Sequence, residues 1–244
     1  RQLIKREAAY LELSPSCAQG KPLRALSVAG IDSKFFERHR QLITLFLDER
    51  FEGEASKQGL ETFLNAAVDN DHWLLLVPLA SGLLPFDRLR VRSRELLKTE
   101  LPANFILIIE NERCLHQLPE AADTIAILGS GANLRWMSAQ WLRKKKIAYW
   151  GDVDSWGLQL LARARRLQPG LHPLLMAQEI YDKFSDHAVV EPTTASPEAP
   201  KGLTRSEAVL YHDLLARERG RLEQEFIAGD LVVDAIGEWL KSCK

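Results

Sequence analysis

The sequence predicts an α/β protein in which a layered domain with a parallel-rich sheet follows a smaller α+β unit. Three continuous apolar runs carry this prediction, at residues 105–109, 124–128 and 147–150. Uninterrupted apolar runs are typical of strands that are buried on both faces of a parallel sheet. Helical stretches separate the runs, and strands that alternate with helices indicate a layered α/β architecture.

The composition is that of a folded globular protein. Hydrophobic residues make up 46% and charged residues 27% of the 244 residues, and the formal net charge is -1. The apolar content excludes wholesale disorder, and the near-neutral charge excludes a histone-like polycation. Three cysteines lie far apart without C-x-x-C spacing. We therefore expect neither a disulfide framework nor a structural zinc site, and we expect a cytoplasmic location.

No membrane partner is expected from the hydropathy of the chain. The most apolar stretch, Trp73 to Phe86, is interrupted by two prolines and a glycine and is too short to cross a bilayer. The opening residues do not have the pattern of a signal peptide, so we expect none. Because the chain begins with Arg1 rather than Met, we interpret it as a piece of a longer protein.

The region before residue 101 predicts a small domain built from helices and strands. Residues 1–28 have a mixed pattern and are interpreted as the remnant of an upstream arm or linker. Four elements are predicted after them: helices over 32–51 and 56–68, and strands over 73–79 and 89–94. Two helices followed by two strands predict a winged-helix domain over residues 29–100.

The layered domain is predicted over residues 101–190. Beyond the three runs, its predicted elements are a fourth strand over 172–176 and helices over 112–118, 133–143, 155–167 and 177–184. A proline-rich linker is predicted over 191–202. The capping box of Thr204 and Glu207 predicts a helix from about 205 to 219. A further helix over 222–240, broken near Gly229, completes a C-terminal helical extension over 203–244.

Carboxylates follow two of the three apolar runs. Glu110 ends the first run, and Asp152 and Asp154 follow the third. Functional groups of layered α/β sheets lie at the carboxyl ends of strands, and alternate residues of an extended segment share a face. Hard oxygen ligands at this density favour Mg²⁺ or Mn²⁺ over zinc. Glu110 could be a third metal ligand or a general base.

A plainer interpretation of the D-x-D pattern is also open. Asp154 or Ser155 could simply cap the helix that follows, in a solvated turn. The presence of Glu110 at the end of another buried strand favours the metal site. Gly151 and Gly157 would allow a tight backbone turn and close approach of a phosphate.

This pattern of acids resembles the TOPRIM domain, in which an acidic residue ends one strand and D-x-D-x-x-G ends a later one. Five stretches further resemble the JetD family, the nuclease subunit of Wadjet systems, called MksG in condensin-like relatives. They are Gly30–Arg40, Ile108–Asn111, Leu128–Gly131, Tyr149–Gly157 and Arg221–Glu225. Their order and spacing extend over most of the chain.

The resemblance implies a metal-dependent endonuclease that cleaves circular double-stranded plasmid DNA by hydrolysis. Glu110, Asp152 and Asp154 would hold one or two Mg²⁺ or Mn²⁺ ions. The implied partners are an SMC-type ATPase, a kleisin and a small winged-helix subunit. The implied layout is a winged-helix, CAP-like domain ahead of a TOPRIM domain, assembled as a homodimer and preceded by an N-terminal arm.

Candidate DNA-binding cations follow in part from the same resemblance. Lys34, Arg38 and Arg40 lie in the stretch that resembles the family, which implies phosphate contact. The arginines at positions 88, 90, 92 and 94 could line the same groove. The basic run 143–146 is equally well a solvated helix end, because Lys and Arg complement a helix C-terminus. It precedes the third apolar run, so we expect it to lie away from Asp152.

Glu223 and Glu225 are a possible second acidic site. On a helix, residues two apart do not share a face. At most one of the two would then point into a common site, and a helix-surface or dimer-contact role is the simpler expectation.

Three rival functions remain open. Strand breakage like that of the topoisomerase VI A subunit needs a tyrosine in the CAP-like domain, but no tyrosine lies between residues 30 and 101. Tyr149, inside an apolar run, is expected to be core. Primase-like synthesis is disfavoured because a cysteine-rich zinc module is absent from the sequence. The third rival is a non-catalytic, DNA-binding adaptor of an SMC complex. Hydrolysis by activated water is favoured over a tyrosyl intermediate.

Overall fold

The computed structural model describes residues 6–7, 10–26, 31–32, 34–67 and 72–243. The chain forms two compact units, residues 1–70 and 71–244. Each unit has its own hydrophobic core.

Four short α-helices lie between residues 35 and 64 of the first unit, and a 3-10 turn, Leu23–Ala25, precedes them. The four helices are α1 (Phe35–Arg38), α2 (Arg40–Arg50), α3 (Glu54–Gln58) and α4 (Leu60–Leu64). Each of the two predicted helices is divided in the structure. Non-helical dihedral angles at His39 separate α1 from α2, and Gly59, with a φ of 83°, separates α3 from α4. Only glycine adopts the latter conformation readily.

One mixed sheet forms the centre of the second unit. Its strands are β1 (Trp73–Pro78), β2 (Leu89–Arg92), β3 (Phe105–Ile109), β4 (Thr124–Leu128), β5 (Lys146–Trp150) and β6 (His172–Pro173). The order is β2-β1-β4-β3-β5-β6, and β4, β3, β5 and β6 run parallel. The three apolar runs are therefore strands of a parallel sheet, as predicted. β3 lies between β4 and β5, and four of its five residues are buried.

The strands β1 and β2 extend this sheet on its antiparallel side. β1 pairs antiparallel with both β2 and β4. These strands therefore lie in the second compact unit. The prediction from the sequence placed them in one domain with the preceding helices. The winged-helix assignment of residues 29–100 stays a prediction.

Three elements of the second unit are shorter or tighter than predicted. The segments Glu112–Gln117, Arg135–Ser138 and Gln140–Lys144 form 3-10 helices rather than α-helices. An extended residue, Ala139, interrupts the second predicted helix. The strand predicted over 172–176 corresponds to β6, which ends at Pro173. Leu175 adopts a left-handed φ of 56° shortly after it.

Four α-helices complete the second unit: α5 (Ser155–Leu167), α6 (Gln178–Lys183), α7 (Arg205–Ala216) and α8 (Gly229–Ser242). The prediction of α5 is confirmed at both ends, and both hydrogen bonds of the Thr204–Glu207 capping box are present on α7. The helix predicted from residue 222 begins only at Gly229. No helix among the described residues is both long and apolar enough to span a membrane.

Residues 221–226 form a segment that we call the strap. Its first two residues make isolated antiparallel bridges, Arg221 with Val189 and Leu222 with Val153. The residues Gln224–Phe226 then form one 3-10 turn. The strap therefore lies directly against the turn that carries the D-x-D pattern.

Candidate functional site

Glu110 and the D-x-D turn leave the same edge of the sheet. The parallel pairing of β3 and β5 places Ile109 opposite Trp150, the last residues of the two strands. The Glu110 amide then donates to the Trp150 carbonyl, with an N–O distance of 3.0 Å. The sequence prediction that these acids meet at a carboxyl edge thus agrees with the topology of the sheet.

Gly151 gives the Glu110 carboxylate its space. A Cβ atom at position 151 would lie 2.7 Å from Glu110 Oε2 and 3.1 Å from Cε1 of Tyr149. Both distances are shorter than ordinary van der Waals contacts, so a side chain here would displace the carboxylate. The close approach explains glycine at this position better than a backbone turn does.

Asp152 is buried and is held by the strap through both of its oxygens. Oδ1 accepts from the Gln224 amide at 3.0 Å, and Oδ2 accepts from the Arg221 guanidinium at 3.2 Å. Burial raises the pKa of this carboxyl, although the two donors oppose the shift. The two hydrogen bonds therefore compensate the buried negative charge of Asp152 only in part.

Asp154 caps the N-terminus of α5 and also faces the strap. Its Oδ1 accepts from the Gly157 amide at 2.6 Å, so the helix-cap interpretation is correct for this oxygen. Gly157 is needed for the turn, because a Cβ there would lie 2.0 Å from the Asp152 carbonyl oxygen. The second oxygen, Oδ2, lies 3.4 Å from Nε of Arg221. Burial, aided by the charges of Asp152 and Glu191, raises the pKa of Asp154 to about 7.

Glu110 has the most unfavourable environment for a negative charge. Burial, followed by the charges of Asp152 and Asp154, raises its pKa to about 8. Its Oε2 is buried and has no hydrogen-bond partner among the described residues. Clustered carboxylates with raised pKa values are typical of functional sites, because such a group binds a proton or a cation.

Arg221 is the cation that the structure places against these acids. Its guanidinium contacts Asp152 at 3.2 Å, Asp154 at 3.4 Å and Glu223 at 3.1 Å. One positive charge is thus shared among three carboxylates, while Glu110 receives none of these contacts directly.

Gln224 joins the strap to both strand ends. Its fully buried side chain accepts from the Asn111 amide at 3.1 Å and donates to the Trp150 carbonyl at 2.9 Å. Sequence reasoning did not single out Arg221 or Gln224. The only available signal was the resemblance of the Arg221–Glu225 stretch to the family, from which only the acids were selected.

Glu223 and Glu225 differ in their surroundings. The two residues do not share an α-helix as the prediction assumed, because Glu223 is extended and Glu225 lies in the 3-10 turn that follows it. Glu223 pairs with Arg221, whereas Glu225 Oε1 accepts from Asn111 Nδ2 at 2.5 Å. Glu225 Oε2 is buried and has no partner in the described part of the chain. A second acidic site stays a prediction, and these contacts favour Glu225 over Glu223.

The side chains of the cluster fit a hard divalent cation, since the atoms that could bind it are carboxylate oxygens. The arrangement is not closed around such an ion. Across residues 6–7, 10–26, 31–32, 34–67 and 72–243, no three carboxylate, imidazole or thiolate side chains are close enough to hold a metal. Arg221 lies where Asp152 and Asp154 face each other.

The predicted DNA-binding cations of the first unit are exposed. Arg38 forms an ion pair with Asp32, and Arg40 forms one with Glu61 through two hydrogen bonds. Lys34 is also exposed. Their contact with DNA stays a prediction.

Basic residues of the second unit lie at two different places. Arg90 contacts Glu112 at 2.5 Å, and Arg92 lies over the Trp73 ring at 4.5 Å. The run 143–146 ends at the start of β5, so it lies at the amino edge of the sheet, as expected. Lys145 pairs there with Glu100 at 2.8 Å.

Tyr149 is the tyrosine next to the acid cluster. It is fully buried, as predicted, and its hydroxyl has no hydrogen-bond partner within the residues that the structure describes. Burial, with the charges of Glu110 and Asp152, holds its pKa well above the usual range. A phenol in this state is a poor nucleophile.

Comparison with protein families gives two matches. The family model described as Wadjet protein JetD, C-terminal, matches residues 59–236, well over half of the chain. A second model, described as the N-terminal part of an uncharacterized protein conserved in bacteria, matches residues 5–48. No curated protein matches the chain.

Proposed function

Because this chain belongs to the Wadjet JetD family, we propose that it is the nuclease subunit of a Wadjet anti-plasmid complex. It cleaves circular plasmid DNA by hydrolysis at a TOPRIM-type site. The observation that supports this function best is the placement of Glu110, Asp152 and Asp154 at one edge of the sheet, near enough for the two aspartates to raise the pKa of Glu110. The family match by itself gives membership and no chemistry.

Glu110, Asp152 and Asp154 would hold one or two Mg²⁺ or Mn²⁺ ions. A metal at such a site supplies Lewis acidity, lowers the pKa of a bound water and screens charge on a scissile phosphate. Oxygen ligands alone make Mg²⁺ or Mn²⁺ better candidates than zinc.

The protein groups prepare this site by orienting single oxygens. The Gly157 amide fixes one oxygen of Asp154, and the Gln224 amide fixes one oxygen of Asp152. Glu110 Oε2 is free of hydrogen bonds to the described residues. With a pKa of about 8, Glu110 can accept or release a proton near neutral pH.

Hydrolysis is favoured over a covalent tyrosyl intermediate. Tyr149 is buried and stays protonated. Two other tyrosine hydroxyls are engaged with backbone carbonyls, Tyr181 with Arg219 and Tyr211 with Ser196. A water molecule is therefore the better candidate for the attacking nucleophile.

The remaining parts of the proposal come from the family. The proposed partners are an SMC-type ATPase, a kleisin and a small winged-helix subunit, together with a second copy of this chain. A winged-helix domain ahead of the TOPRIM domain and a cytoplasmic location belong to the same proposal.

A plasmid-cleavage assay tests the function. Closed-circular plasmid is incubated with Mg²⁺ or Mn²⁺ and this chain, both alone and with its reconstituted partners. We expect nicked or linear DNA from the wild type and at least about a hundredfold less from Asp152→Asn and Glu110→Gln, as for loss of a catalytic group. The matched control is Glu120→Gln, an exposed acid that should leave cleavage unchanged.

Each alternative has a distinct product in this assay. Topoisomers of the plasmid would indicate strand passage rather than hydrolysis. Intact plasmid in the reconstituted complex, with DNA still bound, would indicate the non-catalytic adaptor. Wild-type cleavage by both acid variants would remove the assigned site.

A further inference from the structure

The Arg221 side chain contacts the oxygens that a metal would use. One oxygen of Asp152 and one of Asp154 are engaged by the amides of Gln224 and Gly157. The other oxygen of each, Oδ2, faces Arg221 at 3.2 and 3.4 Å. A guanidinium and a divalent cation at this site would therefore compete for the same two atoms.

The contacts of Arg221 with the two aspartates are long and poorly paired, so a cation could replace the guanidinium there. The Nε atom is buried and finds no hydrogen-bond acceptor in the described part of the chain, although Asp154 Oδ2 lies within ion-pair distance. Strong arginine–carboxylate pairs make two parallel hydrogen bonds of about 2.7 to 2.9 Å. Arg221 makes a single longer bond to Asp152 instead.

The backbone around Arg221 is held independently of its side chain. Arg221 exchanges two backbone hydrogen bonds with Val189, at 2.8 and 3.1 Å, and Leu222 exchanges two with Val153, at 2.9 and 3.1 Å. The Arg221 side chain is 31% exposed. The side chain is thus partly open to solvent, while the backbone bonds hold the strap in place.

From this geometry we infer that Arg221 is an exchangeable counter-ion of the acid cluster. It neutralises Asp152 and Asp154 in the metal-free protein, and its guanidinium leaves their Oδ2 atoms when a divalent cation binds. This inference rests on the proposed metal site and adds to it a positioning residue that sets the affinity of that site.

Calorimetric titration of the full chain with Mn²⁺ tests the exchange. We expect Arg221→Gln to bind Mn²⁺ about tenfold more tightly than the wild type, because a positive charge a few ångströms from the ion is removed. Arg221→Lys keeps the charge and should stay within about threefold of the wild type. The matched control is Arg219→Gln, which removes the same charge where the side chain donates to the Asp186 carbonyl.

The direction of the change separates this role from a structural one. If Arg221 only supported the fold of the strap, its loss would weaken Mn²⁺ binding, and an equal or weaker affinity in Arg221→Gln overturns the inference. Arg221→Lys gives a second reading, since binding as tight as in Arg221→Gln would show that charge is not the cause. Heat of binding that vanishes in Asp152→Asn assigns the titrated site to the cluster.

Failure of the proposed metal site looks different. In that case neither the wild type nor Arg221→Gln binds Mn²⁺, and both the site and the exchange are overturned together. Measurable binding of equal strength in the two proteins overturns the exchange alone.

Discussion

Two arginine–carboxylate groups in the second unit have opposite characters. Arg165 on α5 and Glu207 on α7 form two parallel hydrogen bonds of 2.6 and 2.7 Å, with side chains only 17% and 9% exposed. Burial raises the pKa of Glu207, but the hydrogen bonds from Arg165 and Thr204 outweigh it and leave the pKa below its usual value. This carboxylate is fully compensated.

Arg221 and its acids form the second group. Its contacts are longer and are divided among Asp152, Asp154 and Glu223. The pKa values of Asp152 and Asp154 remain raised in spite of the arginine. The charges here are under-compensated.

The contrast distinguishes a pair that stabilises the fold from a group that is prepared for a ligand. Both groups lie in the same unit and use the same side-chain types, so residue identity does not decide the character. The character of each group depends instead on the number of carboxylates per cation and on how well the guanidinium fits them. An under-compensated buried cluster reduces stability, and such clusters are common at functional sites.

The largest expected change in the free energy of unfolding comes from Arg165→Gln. It leaves the buried Glu207 carboxylate without its cation, so we expect the free energy of unfolding to fall by about 3 kcal/mol, as for other broken buried pairs. The pKa of Glu207 lies below its usual value in the wild type, so the wild-type carboxylate is ionised at pH 6 and at pH 8. Without Arg165, burial raises this pKa, so the loss should be somewhat smaller at pH 6 than at pH 8. Urea unfolding at the two pH values measures it.

The control for this variant is Arg163→Gln, an exposed arginine on the same helix. We expect a change below about 0.5 kcal/mol, which is usual for surface substitutions. If Arg165→Gln were as mild as its control, the buried pair would not be the stabilising group that its geometry suggests.

A stabilising substitution is expected inside the acid cluster. Burial raises the pKa of Glu110 from 4.5 to about 8, so its contribution to stability is complete below pH 4.5 and is lost as the pH rises towards 8. Glu110→Gln removes this loss. In EDTA at pH 8.5 it should stabilise the protein by roughly 2 kcal/mol, with little change at pH 5.

Urea unfolding across this pH range, with Glu120→Gln as the exposed control, checks the Glu110 prediction. If stability changed equally with pH in Glu110→Gln and in the wild type, ionisation of Glu110 would not be what destabilises the protein at high pH.

A smaller effect is expected from Gly151→Ala. The added methyl group would lie 2.7 Å from Glu110 Oε2, so the carboxylate must shift, at a cost of about 1 kcal/mol in unfolding free energy. Plasmid cleavage should fall by more than this small loss of stability explains, because the shift moves a proposed metal ligand. Gly170→Ala is the matched control, since no atom lies within 4 Å of its added Cβ. Cleavage at the wild-type level would show that the Glu110 position is not critical.

The sequence predicted the elements that place the acids. Continuous apolar runs identified β3, β4 and β5, and strand-end acids identified Glu110, Asp152 and Asp154. These signals are local, because burial on both faces and the end of a strand both appear in a few consecutive residues. The capping box likewise located the start of α7 from Thr204 and Glu207 alone.

The features that sequence reasoning missed depend on contacts between distant residues. Residues 222–228 were predicted as helix because their apolar spacing permits it, but Leu222 pairs with Val153 as an extended residue, and only Gln224–Phe226 form a short 3-10 turn. Gln224 bridges Asn111 and Trp150, which are over seventy residues away in the chain. The counter-ion role of Arg221 has no local signal, since it arises only when the strap lies against the D-x-D turn.

The smallest expected effect is the stability change of Arg221→Gln, measured in EDTA at pH 6. At this pH Asp154 is largely protonated in the folded protein, since its pKa is about 7. Arg221 then pairs only with Asp152 and Glu223, through single contacts of 3.2 and 3.1 Å, so its removal costs little. We expect a loss below about 0.5 kcal/mol, near the lower end for partly exposed ion pairs. The loss should grow as the pH rises through 7, because Asp154 then ionises beside a missing cation. The same substitution at Arg165 differs in size, because a large loss is expected there already at pH 6. Equal losses from Arg165→Gln and Arg221→Gln at pH 6 would contradict the distinction between the two groups, and Arg219→Gln accounts for any general effect of removing one positive charge.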